Sequence, residues 1–202
     1  MTIAVLDYGM GNMLSVERAL EHVGASARVT RSADEIAGAG GLVVPGVGHF
    51  GACMRALFTS GLDAAVRSFA GTGRPVFGVC LGMQVLFELS EEDDEPGLGL
   101  FAGGSARLPD TVKVPHMGWN TVEWAASHPY VDGTPDGTRF YFVHSYAPGL
   151  IDGVTVGSTD YGRPFSSVVA RANLFATQFH PEKSGVAGLE IYERFAKAVA
   201  SQ

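Results

Sequence analysis

The chain has 202 residues, 46% hydrophobic and 17% charged, a balance that predicts one packed globular domain over residues 1–202 and excludes a disordered chain. Its 14 Lys and Arg against 21 Asp and Glu leave a net charge of −7 with no basic run, which argues against a nucleic-acid groove. No apolar stretch approaches the roughly 20 residues of a membrane span, and nothing resembles a signal peptide. Two cysteines make no disulfide framework, so the expectation is a cytoplasmic protein with free thiols.

Residues 2–6 form a β-branched apolar run closed by Asp7-Tyr8-Gly9-Met10-Gly11-Asn12, which predicts a buried strand opening into a glycine loop. Leu14, Val16, Leu20 and Val23 recur at helical spacing, and Gly24 supplies the stop. Further strands are predicted at 27–30, at 42–44 (cut off by Pro45-Gly46-Val47-Gly48) and at 75–79, with helices over about 52–69 and 83–89. Strands alternating with helices imply an α/β fold, a mainly parallel sheet with helices on both faces. Beyond Glu91 the texture changes to acidic residues, then Gly, Pro and Thr with short apolar runs at 121–124, 139–143, 168–171 and 174–179. These read as additional antiparallel strands in the C-terminal half, and an amphipathic helix over 187–200 closes the chain.

The strongest chemical signal is Gly78-Val79-Cys80-Leu81-Gly82-Met83-Gln84. A strand running straight into a helix through a nucleophile, with small residues two positions to either side, is a nucleophile elbow with cysteine in place of serine. It lifts the side chain to the carboxyl end of the sheet and onto a helix N-terminus, where the thiolate is favoured. It also leaves the Leu81 N–H to face a developing oxyanion. A lone cysteine is more often an inert core residue, and the flanking glycines bring the two readings to near parity. Phe179-His180-Pro181-Glu182 tips the balance. A thiol nucleophile needs a base, and the base an orienting carboxylate; His180 and Glu182 supply both, with Pro181 stiffening the turn between them. Pro45-Gly46-Val47-Gly48 is by itself only a turn, but its glycines allow a second peptide N–H to face the oxyanion.

Gly-Val-Cys-Leu-Gly-Met-Gln together with Gln-Phe-His-Pro-Glu resembles the class I (triad) glutamine amidotransferases, from Asp7 to Lys183. The resemblance implies a flavodoxin-like sheet, the triad Cys80, His180 and Glu182, and an oxyanion hole around Val47, Gly48 and Leu81. It implies a glutamine site at Gly46, Gln84, Ser145 and Tyr146, and no cofactor. Within that family the chain is most similar to the glutaminase subunits of imidazole glycerol phosphate synthase, in histidine biosynthesis. The segments that carry this are Asp7 to Asn12, Pro45-Gly46-Val47-Gly48-His49-Phe50, Pro115-His116-Met117-Gly118-Trp119-Asn120, Tyr141 to Tyr146, and His180-Pro181-Glu182-Lys183-Ser184-Gly185. The implied partner is a (β/α)₈-barrel cyclase subunit, with Asn12, Trp119, Tyr141 and Lys183 as candidates for the mouth that faces it. For Trp119 core packing is an equal alternative, and for Lys183 a solvated surface position is the lesser one. His49, His116 and His144 lack a zinc-ligand spacing, so no metal site is expected. Other readings stay open: an amidotransferase subunit serving a different acceptor, a stand-alone cysteine hydrolase, or a non-catalytic binding module on the same scaffold.

Overall fold

The computed structural model describes residues 1–202. The apolar runs become the centre of a nine-stranded sheet ordered β2-β1-β3-β4-β12-β11-β10-β7-β8. In chain order the first half comprises β1 Ile3–Leu6, α1 Met13–His22, β2 Ala27–Thr30, α2 Ala33–Gly38, β3 Gly41–Gly46, α3 Phe50–Ser60, α4 Leu62–Ala70, β4 Val76–Cys80 and α5 Leu81–Gln84. The second half comprises β5 Phe87–Ser90, β6 Phe101–Arg107, β7 His116–Trp124, β8 Thr138–His144, β9 Tyr146–Pro148, β10 Thr155–Asp160, β11 Pro164–Arg171, β12 Leu174–Thr177, a 3₁₀ turn Pro181–Lys183, and α6 Gly185–Ala200.

The strands β2, β1, β3, β4 and β12 are parallel, in the 2-1-3-4-5 order of a flavodoxin-like sheet. From β11 onward each strand runs antiparallel to its neighbour, as the change of texture after Glu91 implies. Both faces of the parallel half are covered over its central strands, so β1, β3 and β4 are apolar and buried throughout while successive side chains still alternate between two cores, and only the edge strand β2 carries exposed positions. In β1, Ala4 and Leu6 join the core that holds Phe50, Leu57, Val66 and Phe69 of α3 and α4. Ile3 and Val5 join the one that holds Val16 and Leu20 of α1 and Tyr192 and Phe195 of α6.

Two sequence expectations are corrected. The helix over 52–69 is two helices, broken where Gly61 adopts φ +70°, a left-handed conformation that ends α3 and starts α4. The helix over 83–89 is a single turn, α5, after which Phe87–Ser90 forms a strand of a second, three-stranded sheet ordered β5-β6-β9. Tertiary packing decides this: the Phe87 and Phe101 rings lie 5.3 Å apart across the β5–β6 pair, burying both. Helix α2 and strands β6, β9 and β10 had no clear sequence signal, and residues 121–124 are the end of the longer β7.

Candidate active site

Strand β4 carries Cys80 to the carboxyl end of the parallel sheet, where the cysteine takes φ +55° and ψ −112°. A non-glycine residue held there stores on the order of 1–3 kcal/mol, which only tight surroundings enforce. The neighbours provide them. A Cβ on Gly82 would lie 1.8 Å from the Val44 carbonyl oxygen, one on Gly78 would lie 2.8 Å from the Gly82 carbonyl oxygen, and one on Gly46 would lie 2.7 Å from the Gly82 nitrogen. The elbow thus exists because three glycines let β3, β4 and α5 interpenetrate. Since α5 is one turn long, the helix dipole expected at Cys80 is correspondingly small.

His180 lies between β12 and the 3₁₀ turn, with its backbone clamped: its N–H donates to the Tyr141 carbonyl (2.9 Å) and its carbonyl accepts from Ser184 Oγ (2.6 Å). Two residues on, Glu182 Oε1 accepts from His180 Nδ1 at 2.7 Å, both side chains being only 2% exposed. That bond leaves Nε2 as the proton-accepting nitrogen, and Nε2 has no hydrogen-bond partner. Burial opposes charge on this imidazole, but the charge of Cys80 and the Glu182 carboxylate outweigh it and push His180 up to about 10. Cys80 Sγ lies 3.7 Å from the Val143 carbonyl and 3.8 Å from Gln178 Nε2. The Gln178 amide is oriented by Gln84, whose Nε2 donates both to Gln178 Oε1 (3.1 Å) and to the Tyr146 carbonyl (2.9 Å).

Cys80 and His180 open into one cavity of about 240 Å³, which Val47, Gly48, Leu81, Gln84, Ser145 and Tyr146 also line. This is below the roughly 300–1,000 Å³ of drug-sized sites and suits a small metabolite. Gly46 is not on this wall; it lines a much smaller space with Asn12, His180 and Glu182, where its missing Cβ allows close packing on α5. Gly48 stands at φ +100°. The preceding Val47 carbonyl accepts from Cys53 Sγ at 3.7 Å, so the Gly48 N–H, on the opposite side of the same planar peptide, points away from Cys53.

Two residues at the site, Gln178 beside the Cys80 thiol and Glu92 on the cavity wall, were not singled out in the sequence. Gln178 sits inside the quoted Gln-Phe-His-Pro-Glu motif, a signal that was available. Glu92, which lines the cavity and accepts from the Phe50 N–H at the start of α3 (2.7 Å), sits in an acidic run that reads as a solvated loop. His144 and His116 form a directional chain beside the cavity. His144 Nδ1 donates to the Tyr146 carbonyl (2.9 Å), His116 Nδ1 to His144 Nε2 (3.0 Å), and Asn120 Nδ2 to His116 Nε2 (3.3 Å). Burial pushes His116 down to about 4 and His144 down to about 3, so both are neutral, as that chain requires.

On the outer rim Trp119 is half exposed and meets Tyr141 edge-on, with ring centroids 6.1 Å apart, and Lys183 Nζ lies 6.0 Å from the Tyr141 ring. Core packing of Trp119 is thereby excluded. Met117 is also exposed on the same strand, and Asn12 stands at the N-cap position of α1, without a side-chain capping bond, close to His180 and Glu182.

A thiol at a strained elbow, sharing a cavity with a histidine that a buried glutamate orients, on a flavodoxin-like sheet, defines a class of enzyme, and comparison agrees. The chain belongs to the class-I glutamine amidotransferase family, whose model matches residues 4–199. Among its relatives is the imidazole glycerol phosphate synthase subunit HisH of Symbiobacterium thermophilum, 49% identical over 98% of this chain and 94% of that one. The same subunit of Aromatoleum aromaticum is 47% identical over 96% of each chain. A solved structure described as a glutamine amidotransferase superposes with a TM-score of 0.77 at 20% identity, covering 98% of both chains.

Proposed function

We propose that this chain is the glutaminase subunit of an imidazole glycerol phosphate synthase, with Cys80 as nucleophile, His180 as base and then acid, and Glu182 as its orienting carboxylate. The observation that carries the reading is the convergence on one cavity of a strained elbow thiol and of His180, whose Nδ1 is held by Glu182 at 2.7 Å. His180 Nε2 takes the Cys80 thiol proton, and the thiolate attacks the side-chain amide carbon of glutamine. The resulting oxyanion faces the peptide N–H groups of Leu81 and of the Val47–Gly48 loop. As the C–N bond breaks, His180 returns the proton to the nitrogen, and ammonia leaves a γ-glutamyl thioester on Cys80. His180 then deprotonates a water that attacks the thioester, which frees glutamate and restores the thiol. Gln84, Ser145 and Tyr146 hold the amino-acid end of the substrate, and the Glu92 carboxylate offers a counter-charge for its ammonium.

Free ammonia in neutral water becomes unreactive ammonium, so the generator must seal against its consumer. The partner in this reading is a (β/α)₈-barrel cyclase subunit, forming a heterodimer in the cytoplasm. It uses the channelled ammonia in a lyase-type reaction that makes imidazole glycerol phosphate and an aminoimidazole carboxamide ribotide. Asn12, Trp119, Tyr141 and Lys183 line the mouth that meets the barrel. The test is glutamate release by the chain alone, with the cyclase subunit, and with cyclase plus an acceptor analogue. The proposal requires the rate to rise when partner and analogue are added, because they bias the Val47–Gly48 peptide toward the orientation that meets the oxyanion. Equal rates in all three would overturn the coupling and indicate a stand-alone hydrolase.

A further inference from the structure

The triad account leaves one oxygen without a role. Glu182 uses Oε1 on His180, while Oε2 is buried and has no hydrogen-bond partner. A second buried polar atom is likewise unpaired: the hydroxyl of Tyr192, a residue of α6 with no exposed surface. Two orphaned groups of opposite hydrogen-bonding character are costly to bury separately, the charged one most of all. A carboxylate oxygen only accepts, and a phenol can donate.

Helix α6 is built to bring them together. A Cβ on Gly188 would lie 2.0 Å from the Pro181 carbonyl oxygen, so the bare glycine lets the helix press directly on the backbone of the 3₁₀ turn that carries Glu182. Tyr192 stands four residues later, on the same face and one turn along. Its ring is fixed against Phe77, with centroids 5.4 Å apart, which leaves the hydroxyl little choice of direction. Burial first, and then the Glu182 charge, raise the proton affinity of the phenol, so Tyr192 keeps its proton and remains a donor.

We propose that Tyr192 is a positioning residue of the triad: its hydroxyl donates to Glu182 Oε2 and holds the carboxylate in the rotation that keeps Oε1 on His180 Nδ1. The inference rests on the triad assignment above. It adds a fourth member that does not touch substrate and acts only through Glu182, and it gives α6 a part in setting the base.

The test is a double-mutant cycle read by two methods. Tyr192→Phe removes only the hydroxyl and keeps the ring packed against Phe77, so the variant is expected to fold cooperatively, with a Tm a few degrees below wild type from the Glu182 oxygen left unpaired. In complex with the cyclase subunit, kcat for glutamine hydrolysis is expected to fall about tenfold with KM unchanged, the size of a hydrogen bond to a charged group. In a Glu182→Gln background the same change is expected to cost less than about twofold, because its partner is already lost. Equal losses in both backgrounds, or no loss in the wild-type background, would overturn the proposal. The second readout needs no turnover. In proton NMR of the wild-type chain a slowly exchanging Tyr192 hydroxyl resonance is expected, together with a downfield His180 Nδ1–H. Both should shift in Glu182→Gln. If the hydroxyl exchanges freely or ignores Glu182→Gln, the hydrogen bond does not exist. If the resonances behave as described and no glutamine is hydrolysed, the functional reading fails instead.

Discussion

Replacing Gly82 by alanine tests the elbow where it is tightest. The new methyl carbon would sit 1.8 Å from the Val44 carbonyl oxygen and 2.8 Å from the Val44 carbonyl carbon. Carbon–oxygen contacts settle at about 3.3–3.6 Å, so roughly 1.5 Å of relief is needed. Val44 cannot supply it, because β3 is bonded on both sides, to β1 and β4. The movement therefore falls on α5 and on Cys80, two residues away. Overpacking of this kind costs about 1–3 kcal/mol, or a fall in Tm of about 2–12 °C for a chain of this size. A displacement of the nucleophile by about 1 Å lowers turnover by about 100-fold. The assay is thermal unfolding together with steady-state glutamate release, with Gly38→Ala as control, since a Cβ there meets nothing within 4 Å. The control is expected to match wild type or to gain about 0.4–1 kcal/mol. A Gly82→Ala protein with wild-type Tm and wild-type kcat would refute the claim that glycine interpenetration forms the elbow.

Glu182→Gln is expected to lower turnover by about 1,000- to 10,000-fold without abolishing it, because the carboxylate orients His180 and stabilises its charged form; single-turnover glutamate release measures this. Burial pushes the Cys53 thiol up to about 11, so iodoacetamide near neutral pH is expected to modify Cys80 alone in the folded chain, with Cys53 reacting only after unfolding; peptide mass spectrometry separates the two. Cys53→Ala loses one weak thiol bond to the Val47 carbonyl, and glutamate release by the variant is expected to stay within about fivefold of wild type. His116 and His144 are held neutral in the fold and gain protons more readily when unfolded, so their stabilisation is whole above about pH 6.5 and is lost as pH falls toward about 4 and 3. Denaturant titrations between neutral pH and pH 4 are expected to show a loss of about 3 kcal/mol from His116 alone, with a flatter slope in His116→Gln.

The parallel half of the fold was legible because its central strands are buried on both faces. The runs at 2–6, 42–44 and 75–79 are apolar without interruption and are punctuated by glycines that the structure uses at close approaches. The grouping of Cys80 with His180 and Glu182 was legible for a related reason: Gly78 and Gly82 are steric requirements of the turn that carries Cys80, and Pro181 marks the turn that follows His180. Reading failed where local pattern and tertiary context diverge. Residues 83–89 are apolar in a way that a helix and a buried strand share, and only the Phe87–Phe101 contact, made across the second sheet, decides for a strand. In β7, buried and exposed positions alternate as His116 inward and Met117 outward, but Gly118 at φ +135° and the outward Trp119 blur the pattern. In β10 the pairing with β11 shifts register around Gly157, which breaks the period-two signal. Glu92 was missed because an acid among acids carries no sign of the Phe50 N–H that it accepts from.

The central claim, that Cys80 releases ammonia from glutamine for a partner to consume, is tested most directly by Cys80→Ala in complex with the cyclase subunit. Product formation is followed with glutamine and, separately, with an ammonium salt at a pH that supplies free ammonia. The account predicts no detectable glutamine-dependent synthesis and an ammonium-dependent rate equal to wild type. Glutamine-dependent synthesis persisting in the alanine variant would contradict it.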